Sequence, residues 1–215
     1  MSRLEIDNVD WNNFRIAKSG RAIKLLYNKE PVQFCTAALY TPFGVRSQVK
    51  EWSAFTEYHL DCSLDQATSE AATSFRSFLN QLDEKIKELV AADKTMFAEE
   101  DCIYTPMLKE NGSYPKLLKL NLQRDRNGNF QSFVFDANKE KVKISDSNIE
   151  EVLSKGKVFK CIIECSKLWC FKGKIGSIWT INQLKFIDKK IIGGSSGDNA
   201  EMQSDSYNNL MIQDD

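Results

Sequence analysis

Between residues 64 and 90 the apolar positions fall at Ala67, Ala71, Ala72, Phe75, Phe78, Leu79, Leu82, Ile86 and Leu89. Steps of three and four place them on one stripe, so the spacing predicts a long helix over 65–91. Asp65 is the expected N-cap. A stripe of this kind more often packs a core than grips a partner. Outside the helix the period is two. Strands are predicted at 21–27 and 32–40, around an Asn28-Lys-Glu-Pro31 turn, and at 49–60, which carries Trp52, Phe55 and Tyr58. The Thr41-Pro-Phe-Gly44 stretch between them reads as a loop. Strands resume near Cys102. Leu118, Leu120 and Leu122 alternate with Lys119 and Asn121, and the Asn127-Gly128 pair signals a hairpin returning over 130–135. Ser145 or Asp146 is placed to cap a short helix through Leu153, ended by Gly156. Two last strands, 157–171 and 176–187, are joined by a glycine turn.

This count predicts a mainly β chain with one long helix, an α+β arrangement. An OB-like Greek-key barrel with a helical insertion fits it, and other β-barrels or a sandwich stay open. The expected organisation is a polar lead at 1–13, one domain over 14–190, and an acidic, flexible C-terminal tail over 191–215. Gly193-Gly-Ser-Ser-Gly197 near its start favours disorder. No internal repeat is present.

At 215 residues, 42% hydrophobic and 11% aromatic, the chain can bury a sizeable core. Its net charge of −1 conceals a segregated distribution. Residues 1–103 are net −4, residues 104–190 are net +8, and residues 191–215 carry five acids and no base. Such segregation suits a polyanion-binding body with an acidic appendage. The six cysteines form no C-x-x-C pair and His59 is the single histidine, so no zinc-site spacing exists. Cys161 and Cys165 share a strand face with Phe159 and Ile163, as buried thiols do. No signal peptide or long apolar run is seen, which predicts a reducing intracellular setting without membrane association.

Catalytic patterns are lacking. There is no Walker A sequence and no G-x-G-x-x-G, and Gly173-Lys-Ile-Gly176 has neither spacing. His59 between Tyr58 and Leu60 reads as structural. Asp83-Glu84 and Glu99-Glu100-Asp101 read as solvated charge runs. No enzyme and no cofactor are expected, although the distant acidic ligands of a metal-dependent nuclease would escape this test.

The most informative stretch is 157–186. Its two strands carry Trp169, Phe171 and Trp179 beside Lys167, Lys172 and Lys174. Rings and cations on a twisted hairpin suit single-stranded nucleic acid, because rings stack on bases and lysines neutralise phosphates. The bland alternative is a core hairpin with a lysine rim.

Several segments together resemble the single-stranded DNA-binding proteins of nucleocytoplasmic large DNA viruses. They are Tyr40-Thr-Pro-Phe-Gly-Val45, the strand after it, Tyr104-Thr-Pro-Met-Leu108, Tyr114-Pro-Lys-Leu-Leu-Lys-Leu120, and the stretch 168–181. The last is the most specific. The resemblance spans about residues 20–187 and implies an OB-fold that binds single-stranded DNA without sequence preference in viral replication, recombination or repair. It implies no enzymatic activity. Candidate stacking residues are Phe43, Trp52, Tyr104, Tyr114, Trp169 and Phe171. Candidate phosphate contacts are Lys116, Lys119, Arg124, Arg126, Lys172 and Lys174. Trp179 alternates with Ile181 and is as much core as contact. Expected partners are single-stranded DNA, replication proteins recruited through the acidic tail, and further copies of the chain along DNA. The implied location is the host cytoplasm or nucleus at sites of viral replication. The tail departs from the related pattern of an acidic tail closed by an aromatic residue, since it ends Ile212-Gln-Asp-Asp215. The competing expectation is a virion or scaffold β-barrel that meets an acidic partner.

Overall fold

The alternation at 118–122 is a true pleat. Leu118, Leu120 and Leu122 are buried, whereas Lys119 and Asn121 are half-buried on the opposite face. The partner strand repeats it, with Tyr58, Leu60 and Cys62 inward and His59 and Asp61 outward. The computed structural model describes residues 3–51, 53–64, 69–97, 102–187 and 210–212.

In chain order, β1 (Phe14–Ser19), β2 (Ala22–Tyr27), β3 (Glu30–Pro31), β4 (Gln33–Cys35), β5 (Leu39–Tyr40), β6 (Val45–Gln48) and β7 (Glu57–Ser63) precede α1 (Glu70–Ala92). Then come β8 (Ile103–Tyr104), β9 (Leu108–Asn111), β10 (Tyr114–Leu122), β11 (Phe133–Phe135) and β12 (Lys141–Val142). A short α2 (Ile149–Val152) leads into the long hairpin β13 (Val158–Phe171) and β14 (Lys174–Phe186).

The sheet closes on itself. β13 pairs β5, β5 pairs β7, β7 pairs β10, β10 pairs β14, and β14 returns to β13. All these pairings are antiparallel except β10–β14, which is parallel. The result is a mainly β, closed sheet with one long inserted helix, which fits the predicted OB-like barrel. Closure demands bending, and β13 supplies it through register shifts at Ile162/Ile163 and Cys165/Lys167. Inside lie Leu60, Leu120, Phe159, Cys161, Ile163, Trp179 and Ile181, with exposures of 0–2%. Trp179 is therefore core.

The insertion predicted as a helix is α1, between β7 and β9. Ser69 caps it by accepting from the Ala72 amide at 3.2 Å, and the expected cap Asp65 lies outside the described residues. Phe75 and Phe78 plug one barrel end against Phe34, at 6.0 and 4.9 Å between ring centroids, and Phe34 stands 5.1 Å from Trp179. Several expectations change. Of the strand predicted at 49–60 only the part from Glu57 onward is strand, in β7, because Ser53 turns the chain by accepting from the Phe55 amide and donating to its carbonyl, and β6 lies before that span. The strand at 32–40 is split into β4 and β5. β2 is the strand predicted at 21–27, but β1, which pairs with it across a turn at Gly20, is not among the predicted strands, and Leu4 of the polar lead is buried, its amide bonded to the Gln33 carbonyl. The short helix begins after Asn148, while Asp146 pairs with Arg124 instead of capping. Most of 191–215 lies outside the described residues. Leu210 to Ile212 is described and rests on the body: the Met211 amide donates to Gln183, its carbonyl accepts from Arg3, each at 2.8 Å, and Ile212 is buried.

Asp83 departs most from its expected role. It is 4% exposed in the middle of the apolar face of α1, rather than on a solvated run. Its carboxylate accepts from the Tyr104 hydroxyl at 2.7 Å and from the Met107 amide at 3.1 and 3.2 Å. Burial pushes its pKa up, opposed by those bonds. Asp83→Ala strands two buried donors and should cost about 2–4 kcal/mol in urea unfolding. Asp83→Asn keeps an acceptor and should cost less. A carboxyl with a raised folded pKa contributes stability below its unfolded value and loses it as pH rises through the folded one. The stability gap between wild type and Asp83→Asn should therefore shift with pH in that sense.

Candidate nucleic-acid interface

Because the inner faces of β7 and β10 fill the barrel, their outer faces align His59 and Asp61 with Asn121 and Lys119. β6 extends the row by setting Arg46 opposite His59. The contacts run continuously across the sheet. The Arg46 guanidinium lies 4.3 Å from the Phe43 ring centroid and 3.5 Å from Asp61, whose carboxylate is 3.8 Å from His59 Nε2. Beyond Asn121, whose amide donates to the Trp179 carbonyl, the row meets the β13–β14 hairpin. A trough of about 240 Å³ results, lined by His59, Lys119, Asn121, Lys50, Lys109 and Trp169, among others.

Its electrostatics are strained in one direction. Burial, then the neighbouring Lys119, holds the His59 imidazolium below its ordinary value. Burial also lowers Lys119, with Asp61 opposing and Lys109 and Lys50 reinforcing the drop. Cations that suppress one another in a partly dry trough are relieved by an anion there.

The hairpin wall follows from its turn. Lys172 and Gly173 have φ of 51° and 69°, the left-handed pair that a two-residue turn needs to match strand twist. Trp169 lies flat on Gly176: a Cβ added there would meet the indole at 2.6–2.8 Å. Phe171, 63% exposed, stands at the tip, with Lys172 Nζ 5.2 Å from its ring centroid. Lys174 is exposed beside it.

Of the residues singled out from sequence, Lys119, Trp169, Phe171, Lys172, Lys174 and Phe43 belong to this row or its hairpin wall. Trp52 lies outside the described residues. Tyr114 and Lys116 line an adjacent cleft, where Lys116 pairs with Glu110 at 2.7 Å. Arg126 is exposed on the 125–129 turn, whose Gly128 packs against Phe55. Two are internal ties. The Tyr104 hydroxyl is committed to Asp83, and burial pushes its pKa upward. Arg124 bonds the Gly128 carbonyl at 2.6 Å, pairs with Asp146, and lies 4.1 Å from the Phe130 ring centroid. Their geometry assigns them to structure. Arg46, His59, Lys50, Lys109 and Asn121 were missed. The alternation along 58–62 and 118–122 already separates His59 and Asn121 from the core positions.

No protein-family model matches the chain, and no curated protein matches it. Solved structures do. The single-stranded DNA-binding protein of bacteriophage Enc34, in complex with ssDNA, aligns with a TM-score of 0.49 at 11% identity, covering 80% of this chain and 94% of that one. The single-stranded DNA-binding protein gp2.5 of bacteriophage T7 aligns with a TM-score of 0.47 at 10% identity, covering 81% of this chain and all of that one.

A larger cleft of about 880 Å³ between α1 and β9 shares Thr105, Pro106 and Lys109 with the trough. Glu84, Glu88 and Glu110 line it together with lysines, whereas among the described residues a single acid, Glu57, lines the trough, paired there with Lys50. Among the described residues no three metal-ligating side chains cluster, and no helix is long and apolar enough to cross a membrane.

Gly176→Ala should push the Trp169 ring off the hairpin. The expected cost is about 1–3 kcal/mol of stability from overpacking. Tryptophan emission should shift to the red while the far-ultraviolet circular dichroism is kept.

Proposed function

We propose that this chain binds single-stranded DNA without sequence preference and carries out no catalysis. The observation that supports it best is the row Arg46–His59–Lys119 running into Trp169. Cations there would follow the phosphate backbone, and the exposed faces of Trp169 and Phe171 would stack bases. Bases in a duplex are already stacked and cannot cover these rings. Backbone neutralisation and stacking read no base edges, hence the lack of sequence preference. The resemblance to the large-DNA-virus proteins extends the proposal to genome replication, recombination or repair at viral replication sites, with replication proteins as partners and self-association along DNA.

Fluorescence titration should show poly-dT quenching tryptophan at salt concentrations where duplex DNA does not bind. Log affinity should fall linearly with log salt, and Lys119→Ala should reduce the slope by about 0.7 for the lost phosphate contact. Trp169→Ala should weaken binding by about 1–3 kcal/mol. Equal affinity for both DNA forms, or no binding to either, would favour the scaffold reading.

Binding should also take up a proton. His59 is neutral at pH 7 in the unliganded trough, because its pKa is held down. A nearby phosphate favours the imidazolium and raises that pKa. Affinity should therefore rise as pH falls from about 7 to 5.5, the range of histidine titration. In His59→Gln the dependence should flatten.

A further inference from the structure

The cysteines divide into two groups. Cys62, Cys161 and Cys165 are fully buried barrel residues. Cys35 is half-buried and directs its thiol to the Thr36 carbonyl at 3.7 Å. Cys102 and Cys170 are half-buried as well, and they face each other. Their sulfurs are 3.3 Å apart, although 68 positions separate them in the chain.

That contact sits at the hairpin wall. Cys170 lies between Trp169 and Phe171 on β13. Cys102 directly precedes β8, which edges the same hairpin alongside Lys174 and Ile175. β8 is two residues long, and it is held there by the Ile103 amide to the Gly173 carbonyl at 2.8 Å and the Thr105 amide to the Ile175 carbonyl at 2.7 Å. So short an edge strand is weakly attached, and a covalent bond at its start would change that.

We propose that Cys102 and Cys170 form an oxidisable dithiol whose disulfide fastens the β13–β14 hairpin to β8. The oxidant is a small disulfide of the glutathione class. One protein thiolate attacks it, forming a mixed disulfide and expelling one glutathione thiolate. The second protein thiolate then attacks the protein sulfur and expels the other. Two thiols are oxidised, one small disulfide is reduced to two thiols, and the two protons leave with those products. The bond holds the strand segment carrying Trp169 and Phe171 in place. On the reading that these rings stack bases, the pre-organised wall releases single-stranded DNA more slowly.

The test incubates the full chain with oxidised glutathione. Mass spectrometry of a non-reducing digest should find Cys102 and Cys170 peptides joined, with a loss of two hydrogens from the intact mass. The melting temperature should rise by about 5–10 °C, as expected for closing so long a loop in a chain of this size. Dithiothreitol should reverse both changes. Cys102→Ser and Cys170→Ser should each abolish them and melt like the reduced wild type, while Cys35→Ser should retain them. Release of poly-dT should slow several-fold on oxidation in the wild type and Cys35→Ser only. Glutathione adducts without a cross-link, or a cross-link between other cysteines, would overturn the proposal. A Cys102–Cys170 cross-link that leaves poly-dT release unchanged would overturn the clamp. The mass and thermal measurements involve no DNA, so their failure is distinct from failure of the DNA-binding reading.

Discussion

The structure depends on closure of the barrel by one long, bent hairpin. β13 and β14 must reach opposite ends of the sheet and still meet. A flat hairpin of their length would leave two open edges. The register shifts in β13 turn it far enough for β5 on one side and, through β14, β10 on the other to complete the ring. Closure then settles which way every barrel side chain faces. A slip of β10 by one residue along β7 would send Leu118, Leu120 and Leu122 outward and bring Lys119 into the core. The cost of burying that cation makes the observed register the one compatible with a packed interior. The same constraint sets the cationic row on the outside.

The inserted segment from α1 to β9 brings a second constraint. A carboxylate at Asp83, in the apolar face of a helix, is costly unless its partners are arranged around it. Tyr104 and the Met107 amide meet that need, and both lie where the chain passes from β8 toward β9. One buried acid therefore orients the strand that edges the hairpin. The hairpin wall of the trough is braced from the helix side through Tyr104 and from the barrel side by Trp169 seated on Gly176.

Much of this could be read from the residues. The stripe of α1, the two last strands and the β-rich class follow from local periodicity, and local periodicity survives folding; the Asn127-Gly128 turn is present too, but the strand after it, β11, pairs with β12 and β14 instead of returning along β10. The OB-like barrel was one fit among several, since pairing between distant strands leaves no local signature. The limits of local reading show best at the candidate interface. Lys119 and Trp169 are candidates from sequence because charge and ring stand out in a strand. Arg46 and His59 were passed over because what places them in the row is their neighbour across β6 and β7. Tyr104 and Arg124 were included for the same composition that marked Lys119. Their fate is set by Asp83 and by Asp146 with Phe130, partners 21 and 22 residues away for the two acids, so no short window contains the pair. Asp83 beside Glu84 looked like one solvated cluster, yet a helix turns adjacent residues by about 100°, and one of them faces the core.

The contact made by Met211 links two described stretches that are far apart in the chain. Arg3 donates to the Met211 carbonyl, the Met211 amide donates to Gln183 on β14, and the neighbouring Leu4 amide bonds the Gln33 carbonyl on β4. β4 and β14 both flank β13, so residues 3–4 and 210–212 form a clasp across the closing hairpin. A change at Arg3 would be felt on strands to which it does not belong.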